Sequence, residues 1–204
     1  MRKIGLVFCI QLLMVMLFFS NSAKAADWRF PVGLTYISGF GDVVDIYKGN
    51  LEAEGYSVSE TSYIPVGLSF QPYVQLDNGL GIGAGIGPFS MIISNVASFF
   101  DVPVNLDLRY VFLHDGKTSP YVRAGVKQHF ASGDYVNGST PGFFGGIGIE
   151  FARKKRVGFG MEVAYDSSEI ELEKKTKDKS TNKVISTTES VQPHGLMASI
   201  FITF

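Results

Sequence analysis

The sequence contains three histidines, and His129 is followed closely by Ser132 and Asp134. A histidine, a serine and an acid are the residue types of a hydrolytic triad, in which the histidine activates the serine oxygen. None of the three histidines has a serine two residues after it, so the sequence lacks a local His-x-Ser pair. We therefore expect no catalytic residues, and we keep a triad of His129, Ser132 and Asp134 as an alternative.

A second group of chemically active side chains consists of charged residues that alternate with apolar ones. Leu108 stands between Asp107 and Arg109, which must then point to the same face of a strand. An unpaired charge on an enclosed face is costly, so opposite charges on neighbouring strands are expected to pair. The predicted interior salt-bridge network comprises Asp107, Arg109, Arg123, Lys127, Glu150 and Glu162, with His129 and Asp166 on the same face. A gated ion path or a catalytic cluster is the functional alternative to such a packed interior.

The elements that must position these residues are strands, because apolar residues alternate with small or polar ones in eight segments. The segments are residues 29–38, 63–76, 80–87, 100–113, 121–131, 142–152, 157–166 and 191–204. Short connections such as 77–79 alternate with longer ones such as 39–62 and 167–190. This organisation predicts an all-β fold, an eight-stranded antiparallel up-and-down transmembrane β-barrel with its short turns at the periplasmic end.

The two faces of the predicted strands differ in chemistry. Glycines and a few charges suit the narrow interior of an eight-stranded barrel, whereas Val, Ile, Leu and Phe suit lipid. Aromatic residues near strand ends are expected to contact the membrane interface, and the chosen set is Trp28, Tyr36, Tyr110, Tyr165 and Phe204.

Residues 1–25 have the pattern of a signal peptide. Arg2 and Lys3 precede an apolar run, and small residues lead to a cleavage site after Ala25, which leaves 26–204 as the barrel domain. The removed segment contains the only cysteine, Cys9, so neither a disulfide nor a cysteine-ligated metal is expected. Its loss changes the net charge from −1 to −4, which argues against nucleic acid as a partner.

The last strand carries Ala198, Ile200, Ile202 and Phe204 at alternate positions, and the sequence ends on Phe204. This pattern resembles the terminal strand of bacterial outer-membrane β-barrels. The chain as a whole resembles small eight-stranded outer-membrane barrels of the OmpX or OmpA transmembrane-domain type. The resemblance implies that the barrel-assembly machinery recognises the C-terminal strand.

The expected function is that of a non-enzymatic barrel in the outer membrane of a Gram-negative bacterium. Its interior would be plugged, and its long loops would act in surface interaction or envelope integrity. We expect a monomer that contacts outer-membrane lipid and lipopolysaccharide, with no cofactor and no metal site. Two alternatives are a lipid A-modifying enzyme, either an acyl hydrolase or a transferase, and a soluble periplasmic barrel that binds a small apolar ligand inside.

Overall fold

A computed structural model describes residues 27–58, 65–93, 96–153, 155–178 and 180–204. These residues form fourteen strands and one helix, α1 (Phe40–Ala53). The strands are β1 (Asp27–Arg29), β2 (Pro31–Ile37), β3 (Val66–Phe70), β4 (Tyr73–Gln75), β5 (Leu80–Ile86), β6 (Ser90–Ile93), β7 (Ser98–Val111), β8 (Thr118–Gly133), β9 (Val136–Thr140), β10 (Gly142–Phe151), β11 (Gly158–Asp166), β12 (Glu169–Lys177), β13 (Val184–Val191) and β14 (Gly195–Thr203). The predicted signal peptide, residues 1–25, lies outside the described residues. In the described part of the chain, no helix has the length and apolar character needed to cross a membrane.

The larger sheet closes on itself to form the barrel. The barrel has a ring of strand positions, each of which we call a wall and each of which pairs antiparallel with its neighbours. In order round the ring the walls are β2, β3 together with β4, β5, β7, β8, β10, β11 and β14. The ring closes where β14 pairs with β2, for example at Ile200 opposite Leu34. Within the described residues the barrel therefore has eight walls, and the predicted all-β, eight-stranded up-and-down fold is confirmed.

One predicted strand, 63–76, is divided in the structure. Gln71 and Pro72 separate β3 from β4, because proline has no N–H to donate to the ladder. The Pro72 carbonyl still accepts from the Ala84 N–H at 3.1 Å, so the wall continues past the break. The first residues of the predicted strand, 63 and 64, lie outside the described residues.

The segment 39–62 was expected to be a loop, and this expectation is wrong for its first half, which forms α1. Phe40, Val43, Val44, Tyr47 and Leu51 follow helical spacing and are buried together. The helix ends with a Gly55 at φ 94°, where the Tyr56 N–H bonds to the Leu51 carbonyl at 3.0 Å.

Two other expected loops, 132–141 and 167–190, form a small second sheet in the order β13, β12, β9. Helix α1 lies against this sheet, and we call α1, β9, β12 and β13 the cap. Asn50, which is fully buried, ties the two together: its Nδ2 donates to the Glu173 carbonyl and its Oδ1 accepts from the Lys175 N–H, both at 2.6 Å. The cap stands at the end of the barrel opposite the short turns and residues 27 and 204, which by the barrel topology is the extracellular end.

Glycines on the inner wall make room for aromatic rings in the lumen. A Cβ at Gly148 would collide with the ring of Tyr121, and one at Gly160 would collide with the ring of Phe201. Gly145, in the same strand as Gly148, faces outward, and the nearest atom to a Cβ there would be 3.7 Å away. The glycine-rich inner face predicted for several strands thus complements large side chains from the other walls.

Gly148→Ala is expected to destabilise the barrel by about 1–3 kcal/mol, because the added methyl group overpacks the lumen against Tyr121. Gly145→Ala is the matched control and should change stability little. Denaturant unfolding in detergent, followed by the fluorescence of Trp28, measures both. Equal effects of the two substitutions would contradict the packing described here.

Asn50→Ala is expected to loosen α1 from the cap sheet, because it removes both hydrogen bonds to β12. Limited trypsin digestion of the folded protein should then cut the cap much faster than in the native protein, with the barrel left intact. Gly49→Ala is the control, since a Cβ there meets no atom within 4 Å and alanine favours a helix. Unchanged digestion of Asn50→Ala would show that these bonds do not hold the cap.

Candidate functional site

The middle of the lumen contains a network of paired charges from β7, β8, β10 and β11. Arg109 Nη1 lies 3.2 Å from Glu150 Oε1, and Arg123 Nη2 lies 2.5 Å from Glu162 Oε1. Arg123 Nη1 is also 3.8 Å from Asp107 Oδ1. The side chains of the two arginine–glutamate pairs are at most 4% exposed. We call this group the mid-lumen network; five of the six residues expected in the interior network are in it.

Two tyrosines connect the pairs of the mid-lumen network. Tyr73 donates its hydroxyl to Glu150 at 2.8 Å, and Tyr121 donates to Glu162 at 2.7 Å. The Arg109 guanidinium lies 4.1 Å from the Tyr73 ring centre and 4.3 Å from that of Tyr121, a double cation–π contact. The network therefore connects strands on different sides of the barrel through contacts that cross the lumen.

Arg153 belongs to the same network, although sequence reasoning placed it in a short turn. It is buried, hydrogen-bonds Gln75, and has its Nε 3.7 Å from Glu150 Oε2. Alternation along a strand gives no signal for a turn residue, so only the folded turn places this side chain in the lumen.

The space left beside the network is small. A cavity of about 20 Å³ lies among Arg109, Arg123, Tyr121, Glu162 and Phe201. A volume of this size holds about one water molecule. The middle of the lumen is therefore filled by side chains.

Lys127, the sixth residue expected in the network, lies nearer the extracellular end and joins a different group. Its Nζ is 2.7 Å from Asp166 Oδ2 and 3.5 Å from His194 Nδ1, and His129 Nε2 lies 3.6 Å from the same Asp166 oxygen. Asp101 completes this group through a 2.6 Å contact with His129 Nδ1. We call Asp101, Lys127, His129, Asp166 and His194 the upper cluster.

Sequence reasoning missed two members of the upper cluster for different reasons. Asp101 lies within the predicted strand 100–113 and continues the inward alternation of Asn105 and Asp107, so the pattern already contained the signal that was overlooked. His194 precedes β14 and has no such signal, because Gly195 takes a left-handed φ of 55° and breaks the alternation.

The outer wall is apolar over its full height, as expected for the face that meets lipid. Leu68, Leu108, Ile147 and Ile200 point outward and are each more than half exposed. The reverse arrangement, a soluble barrel with an apolar ligand pocket inside, does not fit a lumen whose described residues include paired charges.

The aromatic residues expected at the membrane interface lie in two rings on the outer wall. Trp28, Tyr110 and Phe204 are near the periplasmic end, and Tyr36 and Tyr165 are near the extracellular end. Their side chains are between 44% and 54% exposed, which suits residues that have lipid on one side.

The structure does not assemble the alternative hydrolytic triad. His129 is buried against Asp101, whereas Ser132 is exposed, and the carboxylate of Asp134 accepts hydrogen bonds from the backbone and hydroxyl of Ser98. In a hydrolytic triad the histidine donates a hydrogen bond to the acid and accepts one from the hydroxyl of the nucleophile. Neither of these bonds is present among the three residues.

Neither a protein-family model nor a curated protein matches the sequence. Among solved structures, the outer membrane protein OprG from Pseudomonas aeruginosa is 13% identical with a TM-score of 0.51, over 89% of this chain and 96% of that one. Outer Membrane Protein W from E. coli is 15% identical with a TM-score of 0.52, over 89% and 98%. A major outer membrane protein from Thermus thermophilus is 13% identical with a TM-score of 0.50, over 89% and 99%.

At these identities the likeness concerns the fold, which is that of small outer-membrane barrels. The chain therefore has the fold of small outer-membrane β-barrels, as the sequence predicted, and its apolar outer wall suits contact with lipid. Membership of the OmpX or OmpA type stays a prediction.

Glu150→Gln is expected to cost about 3–5 kcal/mol of unfolding free energy, because it leaves buried Arg109 and Arg153 without a carboxylate. Glu189→Gln is the control. Glu189 pairs with Lys174 at 2.6 Å on the surface of the cap, where such a pair contributes less than about 1 kcal/mol. Denaturant titration in detergent measures both, and a loss for Glu150→Gln no greater than for the control would be inconsistent with a buried pair.

Proposed function

We propose that this outer-membrane protein is a non-enzymatic barrel with a closed polar lumen, and that its cap acts in surface interaction or envelope integrity. The observation that carries the proposal is the mid-lumen network, in which arginines, carboxylates and tyrosines from several walls leave space for about one water. Because the lumen of such a barrel is filled, the part of the protein that remains for contact with a partner is the cap at the extracellular end.

The network supports a closed state because an ion path through it would require paired charges to separate. Arg109 is bound by one carboxylate and two aromatic rings, and Arg123 by two carboxylates. Separating a buried pair leaves each charge desolvated, which is strongly unfavourable. This argument favours a structural plug over the gated ion path.

The cap supports a surface role because it is a folded polar platform. Lys175 pairs with Glu54 at 2.6 Å, and this hydrogen bond lowers the pKa of Glu54 below its ordinary value. A surface cleft of 520 Å³ lies between one side of α1 and the β12–β13 hairpin. Its lining includes Asp42, Asp45, Lys174 and Glu189. Charges of both signs in one cleft suit a polar partner such as a sugar or a zwitterionic headgroup.

The proposed partners follow from the position of each surface. The apolar outer wall contacts outer-membrane lipid, and the extracellular aromatic ring lies at the level of lipopolysaccharide. The barrel-assembly machinery would recognise β14, the strand that closes the barrel. Because β14 completes the sheet by pairing with β2, no second copy is needed to close the barrel, and we propose a monomer.

A planar-bilayer recording tests the closed lumen. Purified protein is expected to give no stable conductance steps, and Asn50→Ala, which undocks the cap, is expected to stay closed as well. If the cap were the gate, Asn50→Ala would conduct while the native protein would not. A large stable open state of the native protein would overturn the proposal of a plug.

The role of the cap is tested in a strain that lacks the protein, complemented with the native chain, Asn50→Ala or Gly49→Ala. Outer-membrane leakiness to a fluorescent hydrophobic dye and retention of cells on surfaces coated with lipopolysaccharide or glycans are the two readouts. The native chain and Gly49→Ala should restore at least one of them, and Asn50→Ala should restore it less. Full restoration by Asn50→Ala would remove the cap from the proposed function.

A further inference from the structure

The upper cluster brings together two histidines and an aspartate that are far apart in the sequence. Asp101 comes from β7, His129 from β8, and His194 from the residue before β14. One ligand atom from each of the three residues lies within 4.8 Å of the others. All three side chains are buried at the extracellular end of the lumen, above the mid-lumen network.

The two imidazole rings lie between two carboxylates. Asp101 Oδ2 is 2.6 Å from His129 Nδ1 and 3.7 Å from His194 Nε2. Asp166 Oδ2 faces the other nitrogen of each ring, at 3.6 Å from His129 Nε2 and 3.3 Å from His194 Nδ1. Each ring therefore presents one nitrogen to Asp101 and the opposite nitrogen to Asp166.

The cluster contains buried polar atoms without a hydrogen-bond partner among the described residues. They are Asp101 Oδ1, His129 Nε2, His194 Nε2 and Asp166 Oδ2, of which Asp166 Oδ2 has an ion pair with Lys127. Buried polar atoms are nearly always bonded, so orphaned ones in a polar site indicate a group that satisfies them, such as an ion. Four such atoms in one cluster point to a ligand held between these side chains.

The charge and the atom types of the cluster select the kind of ligand. With neutral imidazoles, two carboxylates and the Lys127 ammonium give the cluster one excess negative charge. Two imidazole nitrogens and one carboxylate are ligands of zinc-class transition metals, whereas calcium and magnesium prefer oxygen ligands alone. A divalent cation would replace the proton between Asp101 and His129.

We propose that the upper cluster binds one transition-metal dication of the zinc class through Asp101, His129 and His194. Asp166 is then a positioning residue, because its Oδ2 faces the ring nitrogen of each histidine that points away from the metal, at 3.6 Å from His129 Nε2 and 3.3 Å from His194 Nδ1. Lys127 balances the charge of Asp166. The proposal departs from the expectation, drawn from the sequence, that the protein has no metal site.

The metal would link the barrel to the cap. The three ligands join β7, β8 and the start of β14, and the His194 carbonyl accepts from the Gly39 N–H, at the start of α1, at 3.2 Å. A metal at this position would fasten three walls directly beneath the helix of the cap. It would therefore raise the stability of the folded barrel by mass action.

The experiment uses the full protein, refolded or extracted in detergent and purified without a histidine tag. One equivalent of zinc chloride is added to the protein, the sample is dialysed, and the zinc that is retained is measured by mass spectrometry. Cobalt chloride is added to a parallel sample, and its visible absorption is recorded. The ligand variants are His129→Gln, His194→Gln and Asp101→Asn. His114→Gln is the matched control, since His114 is the remaining histidine and lies in a periplasmic turn.

The native protein and His114→Gln are expected to retain about one zinc per chain and to give the strong visible bands of four-coordinate cobalt. Each ligand variant should bind at least ~100-fold more weakly, and Asp166→Asn about 10–100-fold more weakly. The heat-dependent shift of the band on a denaturing gel reports whether each variant is folded.

Three results would overturn the proposal. They are no zinc retained by the native protein, native-level zinc in a folded ligand variant, or loss of zinc in His114→Gln. If the ligand variants do not fold, the cobalt spectrum of the native protein decides, and weak six-coordinate bands would count against the site. Conductance and leakiness are separate readouts, so failure of this proposal leaves the proposed function standing.

Discussion

The need to pair every charge inside a barrel only eight strands wide is the constraint on which the rest of this structure depends. The lumen is too narrow to hydrate an arginine, so Arg109 and Arg123 are held by carboxylates and aromatic rings from other walls. Those rings need space, and the glycines on the facing strands provide it. The glycine-rich inner wall and the paired charges thus both follow from the narrow lumen of an eight-stranded barrel, and the apolar outer wall follows from its contact with lipid.

The lumen is organised in two layers with different chemistry. The mid-lumen network uses arginines, whose planar guanidinium groups bond carboxylates and stack on Tyr73 and Tyr121. The upper cluster uses histidines and a lysine instead, and it lies where the barrel meets the cap. The side chains of the first layer fill the middle of the lumen, and the second layer lies where the barrel meets the cap. The burial of Tyr47 in the cap, which raises the pKa of its phenol, shows that this connection is packed like a protein core.

The wall strands could be predicted from the sequence because alternation of period two directly encodes a wall with two different faces. The same alternation assigned Arg109, Arg123, Glu150 and Glu162 to the interior. The helix α1 was missed because its apolar residues are interspersed with acids in a segment judged by its polarity, although the helical spacing from Phe40 to Leu51 and the following Gly55 were available signals. Contacts of Arg153 and His194 depend on a turn and on a left-handed glycine, which no periodic pattern reports.

A double-mutant cycle on Arg109 and Glu150, measured as unfolding free energies in detergent, tests most directly whether paired charges hold the lumen closed. Arg109→Met, Glu150→Gln and the double variant are compared with the native protein. Each single change leaves a buried group unpaired, so the double variant should be less destabilised than the sum of the two, with a coupling of about 1–3 kcal/mol. Additive losses would mean that the two side chains act independently, and would contradict a lumen held together by charge pairing.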